Sequence, residues 1–395
     1  MSTSLTQTPY DAVVVGGGPA GATAAETLAR GGAKVLLLDK GGRIKPCGGA
    51  IPPRLIRDFA IPDDLLCARI SAARMVSPSK RQVDMPIDGG FVGMVNREVF
   101  DEFLRERAAR AGAVRRRGSF SHISRDGSGT HVHFTDDDEV THTVDTRVVI
   151  GADGALSKVA RQEVDPKGPA YVFAYHEVIE APPSGSGYDP RRCDVIYDGT
   201  ISPDFYGWVF PHGATASVGS GSAHKGFGLR PSVAALRQAS GLAAARTIRK
   251  EGAPIPMKPL RRWDNGKDVV LAGDAAGVVA PSSGEGIYYA MVGGQLAAEA
   301  TQLCLSSGKA SELRYARRRF MRLHGRVFFI LGVMQYFWYS SDKRRERFVS
   351  MCNDPDVQRL TWQAYMNKEL VRADPLAHMR IFWKDVRHLL GVGAP

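Results

Sequence analysis

Three glycine-and-acid signatures hold most of the chemistry in this sequence: Gly16-Gly17-Gly18-Pro19-Ala20-Gly21, then Gly151-Ala152-Asp153-Gly154, then Gly273-Asp274-Ala275-Ala276-Gly277. The first has the composition of a diphosphate cradle. Gly16 permits a tight turn, Gly18 lets the backbone approach a pyrophosphate, and Gly21 lets a helix press against a strand, with Ala20 keeping the same turn small. The diphosphate would sit at the helix N-terminus, where unpaired amides and the helix dipole meet its charge. A second apolar run, Lys34 to Leu38, ends at Asp39, with Lys40 beside it. A carboxylate there accepts hydrogen bonds from a ribose hydroxyl and would repel a ribose phosphate. The elements that must position these residues are legible too. Asp11 to Val15 reads as a short buried strand, Pro19 to Arg30 as a small-residue helix, and apolar runs precede the second and third signatures.

In this order and context the chain resembles the flavoprotein superfamily of the para-hydroxybenzoate hydroxylase type. Its mid-chain motif is Val148 to Gly154, followed by Ser157 and Arg161, and its late motif is Val269 to Gly277. The resemblance implies bound FAD, held by Asp153 and Gly154, by Gly273, and by Asp274 on the ribitol chain, with Arg97 near the phosphates. It also implies that Pro281 to Ile287, through Gly284, Gly286 and Ile287, leads into a helix facing the flavin pyrimidine ring. Amides and dipole at that helix end would favour the negative charge of reduced flavin.

A chain of 395 residues, 44% hydrophobic and 24% charged, can bury a large core and divides into two or three lobes. Its five cysteines are scattered without CxxC spacing, so neither a disulfide framework nor a metal site is expected. Without a basic leader or cleavable apolar stretch, the expected location is the cytoplasm or its membrane face. The net charge of +11 is uneven: residues 310–395 hold sixteen Lys or Arg against eight Asp or Glu, a surplus of +8. Leu313, Ala316, Phe320, Leu323, Val327 and Leu331 recur at helical spacing, with Arg314, Arg318 and Arg322 on another face. The aromatic run Val327 to Tyr339 is short for a membrane span. A basic amphipathic helix suits an anionic membrane surface, and a solvated charged face over a packed core accounts for the same pattern. No nucleic-acid recognition motif accompanies the charge.

The expected fold class is α/β, α+β overall: a Rossmann-like dinucleotide domain from residues 1–70, 97–165 and 261–310, an inserted antiparallel β-sheet substrate domain from 71–96 and 166–260, and a helical C-terminal lobe from 311–395. Val172 to Val178, Cys193 to Tyr197, Tyr206 to Phe210 and Thr215 to Gly219 read as strands of the inserted sheet, and helix breaks are expected near Pro355 and Pro375.

Within that sheet, Tyr206, Trp208 and Phe210 alternate, so a strand presents all three on one face as an aromatic wall. Such a wall suits a long apolar ligand, and it suits a plain core equally. With Pro211, Gly219 and Gly221 the segment resembles the YxWxFP…GxG motif of the geranylgeranyl reductase family. Lys45-Pro46-Cys47-Gly48-Gly49-Ala50 resembles the same family's PCGG segment, which lies close to the flavin. The likeness covers nearly the whole chain and is greatest to the bacteriochlorophyll and chlorophyll geranylgeranyl reductases.

The family implies that NADPH reduces FAD and that isolated prenyl double bonds are then hydrogenated. Tyr206, Trp208, Phe210, Pro211, Gly219 and Gly221 would line the substrate path. Cys47, Tyr206 and Trp208 are the catalytic candidates, with Cys47, Tyr206 or an ordered water as proton donor. The substrate is a prenylated tetrapyrrole, free geranylgeranyl diphosphate or an isoprenoid ether lipid. No second dinucleotide motif is present, so the nicotinamide would bind transiently, and a reduced ferredoxin is the alternative donor. The rival functions are a flavin-dependent aromatic hydroxylase and a non-enzymatic prenyl carrier. If the enzyme works on a pigment tail, a peripheral place on the photosynthetic, intracytoplasmic membrane follows.

Overall fold

A computed structural model of the chain describes residues 9–42, 45–183 and 187–368. They form two compact units. The first combines the described residues up to Lys45 with Arg97–Tyr171 and Pro254–Phe329; the second combines Pro46–Asn96, Val172–Ala253 and the described residues from Ile330 onward.

The first unit is built on parallel strands in the order Val114–Arg117, Val35–Asp39, Tyr10–Val15, Thr141–Gly151 and Val269–Leu271. Val13, Val14 and Leu36 are fully buried, as strands covered on both faces must be. Thr141–Gly151 is long enough to serve two purposes. Its first half pairs antiparallel with Gly129–Thr135, and its second half completes the parallel layer. The helix Pro19–Arg30 packs against Arg97–Arg110 and Ile287–Ser307. It lies backbone to backbone on the latter, because a Cβ at Gly294 would fall 2.1 Å from the Ala20 oxygen.

The second unit carries a seven-stranded sheet in the order Thr247–Pro256, Tyr171–Glu180, Thr215–Ser222, Gly207–His212, Arg192–Ile196, Ala72–Val76 and Gln82–Pro86. The sheet expected to be wholly antiparallel contains one parallel pair, Ala72–Val76 with Arg192–Ile196. More than a hundred residues separate these strands, and so long a crossover permits parallel entry. One face of the sheet buries Ile179, Val209, Val218 and Ile196 with Val233 and Leu236 of the helix Leu229–Ala239.

The unit boundaries differ most from the sequence expectation at two places. Pro46 to Ile70 joins the second unit, because Ala50–Ile51 and Leu66–Ile70 both pair with Val92–Val95 in a three-stranded sheet. The basic C-terminal stretch is not a lobe of its own: its first helix, Tyr315–Trp338, runs from the first unit's residues into the second's. That helix buries Ala316, Phe320, His324 and Phe328, a spacing of four, while Leu323 of the expected face is exposed. Helices Asp342–Met351 and Pro355–Asn367 follow, the latter opened by Pro355 and capped by the Asp354 carboxylate. Pro375 lies outside the described residues. Among the described residues no helix is long and apolar enough to cross a membrane.

Candidate active site

The three signatures meet at the C-terminal ends of neighbouring parallel strands, where Val15 pairs with Gly151 and Gly151 with Leu271. Gly16 has φ of 106°, and a Cβ there would lie 2.3 Å from the Ala152 oxygen; a Cβ at Gly21 would lie 1.8 Å from the Gly16 oxygen. Both glycines are demanded by the protein's own backbone. Gly18 is different. Its φ of −73° suits any residue, and an added Cβ would meet nothing within 4 Å. Among the described residues nothing requires a glycine there, and the helix N-terminus opens onto space of the kind a diphosphate would need.

The surrounding residues are consistent with one end of a dinucleotide. Asp39 accepts from the Gly17 amide at 2.7 Å and the Gly41 amide at 2.9 Å, with the Arg105 guanidinium 3.9 Å away. Lys40 is exposed. Gly154 has φ of 83° and open space around its missing side chain. Asp153, by contrast, turns inward. One carboxylate oxygen accepts from Ser157 Oγ at 2.5 Å and the other from the Lys158 and Val159 amides, so it caps the next helix, while burial pushes its carboxyl above the usual value. Arg97 is buried and forks onto Asp101 with two bonds of 2.8 Å.

At the third signature, Gly273 has φ of 63°, and a Cβ on it would lie 2.7 Å from Ala20 Cβ. Buried Asp274 receives the Lys45 ammonium at 2.5 Å, a partner that the sequence did not suggest. Gly286 lies beside the same carboxylate: a Cβ there would be 3.8 Å from Asp274 Oδ1. Gly284, with φ of 66°, turns the chain just before it. The helix Ile287–Ser307 starts at buried Ile287 with no side-chain cap on its first turn. An uncapped helix end suits an electron-rich ring edge.

In the second unit, the strand Gly207–His212 aims Trp208, Phe210 and His212 to one side, and Tyr206 precedes it. Ring centroids lie 6.0 Å apart for Tyr206 and Trp208 and 6.2 Å apart for Trp208 and Phe210, a continuous aromatic surface. Pro211 does not share it. Alternation turns Pro211 to the opposite face, in register with Ala216. Gly219 pairs with Trp208, and a Cβ on it would fall 2.2 Å from the indole; Gly221 similarly makes room for Val172 and Phe205, at 2.9 and 3.1 Å. The PCGG segment lies on the same strand's far end. A Cβ at Gly48 would touch the Phe210 ring at 3.1 Å, and one at Gly49, whose φ is 69°, would lie 2.6 Å from His212 Nε2. Cys47 is half-buried, and its Sγ accepts from the Gly49 amide at 3.4 Å. Burial pushes the His212 imidazole down to about 4.

Sequence reasoning missed a polar chain beside this surface. Trp208 Nε1–H donates to Ser217 Oγ at 3.1 Å, Ser217 pairs with His176 Nδ1 at 2.7 Å, and His176 Nε2 meets Glu251 Oε2 at 3.0 Å. His176 and Ser217 occupy positions on the aromatic side of adjacent strands, and a histidine amid the apolar run Tyr171–Glu180 was the available signal.

Comparison with known proteins places this arrangement. Residues 10–158 match the pyridine nucleotide-disulphide oxidoreductase family. The geranylgeranyl diphosphate reductase of Rhodobacter capsulatus is 60% identical over 389 residues, covering 98% of this chain and 99% of that protein. The chain belongs to the geranylgeranyl reductase family. It is an FAD-dependent oxidoreductase. The chloroplastic geranylgeranyl diphosphate reductase of Arabidopsis thaliana is 37% identical, across 96% of this chain and 85% of its own. A solved structure described as geranylgeranyl bacteriochlorophyll reductase-like, from Thermoplasma acidophilum, shares the fold with a TM-score of 0.79 at 22% identity, covering 93% of this chain and 99% of that one. The geranylgeranyl reductase motifs thus occupy the paired strands Gly207–His212 and Thr215–Ser222 and the turn laid on the end of the first, while the three dinucleotide signatures form a cradle of their own.

Proposed function

We propose that this protein reduces isolated double bonds of a geranylgeranyl chain, converting the tail of a (bacterio)chlorophyll to phytyl, with NADPH as the electron donor. The observation that carries the reading is the aromatic face of Tyr206, Trp208 and Phe210, for which Gly219 gives up its side chain. When bound, FAD supplies the hydride that these alkenes need. In this reading Gly18 and Asp39 hold the dinucleotide, and the first turn of Ile287–Ser307 meets the ring's negative charge. Tyr206, Trp208 and Phe210 would keep water from the chain and face the positive charge that grows at the tertiary alkene carbon as its double-bond partner accepts a proton. Anaerobic incubation with NADPH and, separately, esterified pigment, free geranylgeranyl diphosphate and an unsaturated diether lipid tests this, read by mass spectrometry. Dihydro, tetrahydro and hexahydro pigment tails are expected. Tails unchanged in all three would overturn the reading, and reduction of another substrate alone would reassign the head group.

A peripheral contact with anionic lipid belongs to the same proposal. On Tyr315–Trp338 the apolar Phe329, Val333 and Tyr336 are 73%, 53% and 85% exposed, beside exposed Arg318, Arg322 and Arg326. Arg317 is excluded from that set, since its Nε donates to the Leu260 carbonyl. Replacing Arg318, Arg322 and Arg326 with Gln is expected to weaken sedimentation with anionic vesicles, most visibly at low salt. Equal sedimentation with neutral and anionic vesicles would remove the membrane contact.

A further inference from the structure

The chain Glu251–His176–Ser217–Trp208 crosses four adjacent strands of the large sheet, Thr247–Pro256, Tyr171–Glu180, Thr215–Ser222 and Gly207–His212. It has one consistent direction. An indole N–H donates and cannot accept, so Ser217 Oγ accepts from Trp208; with a neutral imidazole whose hydrogen is on Nε2, Ser217 gives its own hydrogen to His176 Nδ1. His176 Nε2–H is then given to Glu251. Burial works to raise the Glu251 carboxyl, but the bond from His176 and the neighbouring Arg249 guanidinium outweigh it and hold the carboxyl below its usual value, an acceptor at the sheet edge.

Core filling does not call for such a chain. His176, Ser217 and Trp208 are 4%, 2% and 6% exposed, and each would carry a desolvation cost if its partner were lost. The register explains what the cost achieves. His176, Gly219 and Trp208 stand side by side on three strands, and because Gly219 has no side chain the indole lies across its strand to reach Ser217. A Cβ there would be 2.2 Å from the indole and 2.6 Å from His176 Cβ. The indole is therefore held in its plane by the sheet and against rotation by one hydrogen bond.

We infer that Ser217, His176 and Glu251 are positioning residues that fix the angle of the Trp208 indole within the aromatic surface, and that this angle governs how far the prenyl tail is reduced. The inference rests on the proposed prenyl reduction, because it acts through a surface assigned to the tail. A tail with several alkenes must present each one in turn, and a ring that turns freely guides the later ones poorly.

A double-mutant cycle separates positioning from general stability. Anaerobic turnover per bound flavin is followed by mass spectrometry of the tails. Trp208→Phe keeps a ring and removes the N–H; it should lower the fraction of fully reduced tail. Ser217→Ala alone should lower that fraction about fivefold, the effect of one net hydrogen bond, and should add nothing in the Trp208→Phe background. Equal shifts in both backgrounds would mean a merely structural serine and overturn the inference. An independent readout is the indole N–H resonance of Trp208, assigned by its loss in Trp208→Phe. It should move in Ser217→Ala and return in Ser217→Thr, and an unmoved resonance would likewise overturn the inference. If Trp208→Phe shifts the tails and Ser217→Ala does not, only the positioning role fails. If neither variant shifts them, the assignment of this surface to the tail fails as well. Should Ser217→Ala give no soluble holoenzyme, Glu251→Ala at the sheet edge replaces it in the cycle, with a smaller shift and the same non-additivity expected.

Discussion

Gly18 and Gly219 are glycines for opposite reasons. A Cβ on Gly18 would meet nothing within 4 Å, whereas one on Gly219 would lie 2.2 Å from the Trp208 indole. The first leaves a space that the folded chain does not fill, and the second yields its space to another side chain of the same unit. Neither needs glycine for its backbone angle: neither is among the positive-φ glycines, and Gly18 has an ordinary φ of −73°. Glycine thus borders open space in one unit and yields to a packed neighbour in the other, and only the surroundings tell the two apart.

The largest effect is expected where the empty space is filled. Gly18→Val should leave folding and thermal stability of the flavin-free protein unchanged while abolishing flavin retention, because the side chain occupies ground meant for the diphosphate. Flavin content after gel filtration checks this. A fully yellow Gly18→Val protein would break the comparison at its first term.

Filling the other glycine should damage the protein itself. Gly219→Ala forces a methyl against the indole and against His176 Cβ, which should cost about 1–3 kcal/mol of stability. Flavin per folded molecule should stay at the wild-type value. Denaturant unfolding with flavin stoichiometry distinguishes the cases, and a variant as stable as wild type would show that the indole moves aside freely.

How much was legible in the sequence follows the same division. The cradle could be read residue by residue, since tight turns and close helix contacts restrict Gly16 and Gly21 to one residue type, and the parallel strands are continuous apolar runs. The orientation of Asp153 was not legible, because an acid in a motif looks alike whether it faces a ligand or caps a helix; the structure turns its carboxylate to Ser157, Lys158 and Val159. On the sheet, alternation found Tyr206, Trp208 and Phe210, while Pro211, named only through the motif resemblance, lies on the opposite face. The polar chain escaped because its members are far apart in sequence and joined only by strand register, with Gly219 between them. The border near residue 70 escaped for a like reason: Pro46 to Ile70 is committed by pairing with Val92–Val95.

A packed face should also resist protons. His212, enclosed beside Gly48 and Gly49, has its folded pKa pushed down by burial to about 4 from 6.5. Between those values the unfolded chain binds a proton that the folded protein refuses, so stability rises with pH across the window. The contribution is fully present above the unfolded value and lost as pH falls toward 4, about 3 kcal/mol in all. Denaturant midpoints measured from pH 7 to 4 should fall more steeply for wild type than for His212→Leu. Parallel curves would mean that the imidazole is open to solvent.

The smallest effect is also the one that isolates the cause. If Gly219 is glycine because of the indole, shrinking the ring should make a methyl there less costly. The atoms nearest the added Cβ are indole Cζ2 and Cε2, at 2.2 and 2.5 Å, and a phenyl ring has no counterpart of the fused second ring that carries them. Gly219→Ala combined with Trp208→Phe should therefore be more stable than the sum of the two changes predicts, by a fraction of the single-site cost, since His176 Cβ at 2.6 Å is still there. No such rescue exists for Gly18→Val, because within 4 Å the protein has no side chain to shrink. Strict additivity in the sheet pair would mean that Gly219 answers to the strand backbone or to His176, and the contrast between a space kept for a ligand and a space given to a neighbour would lose its second term.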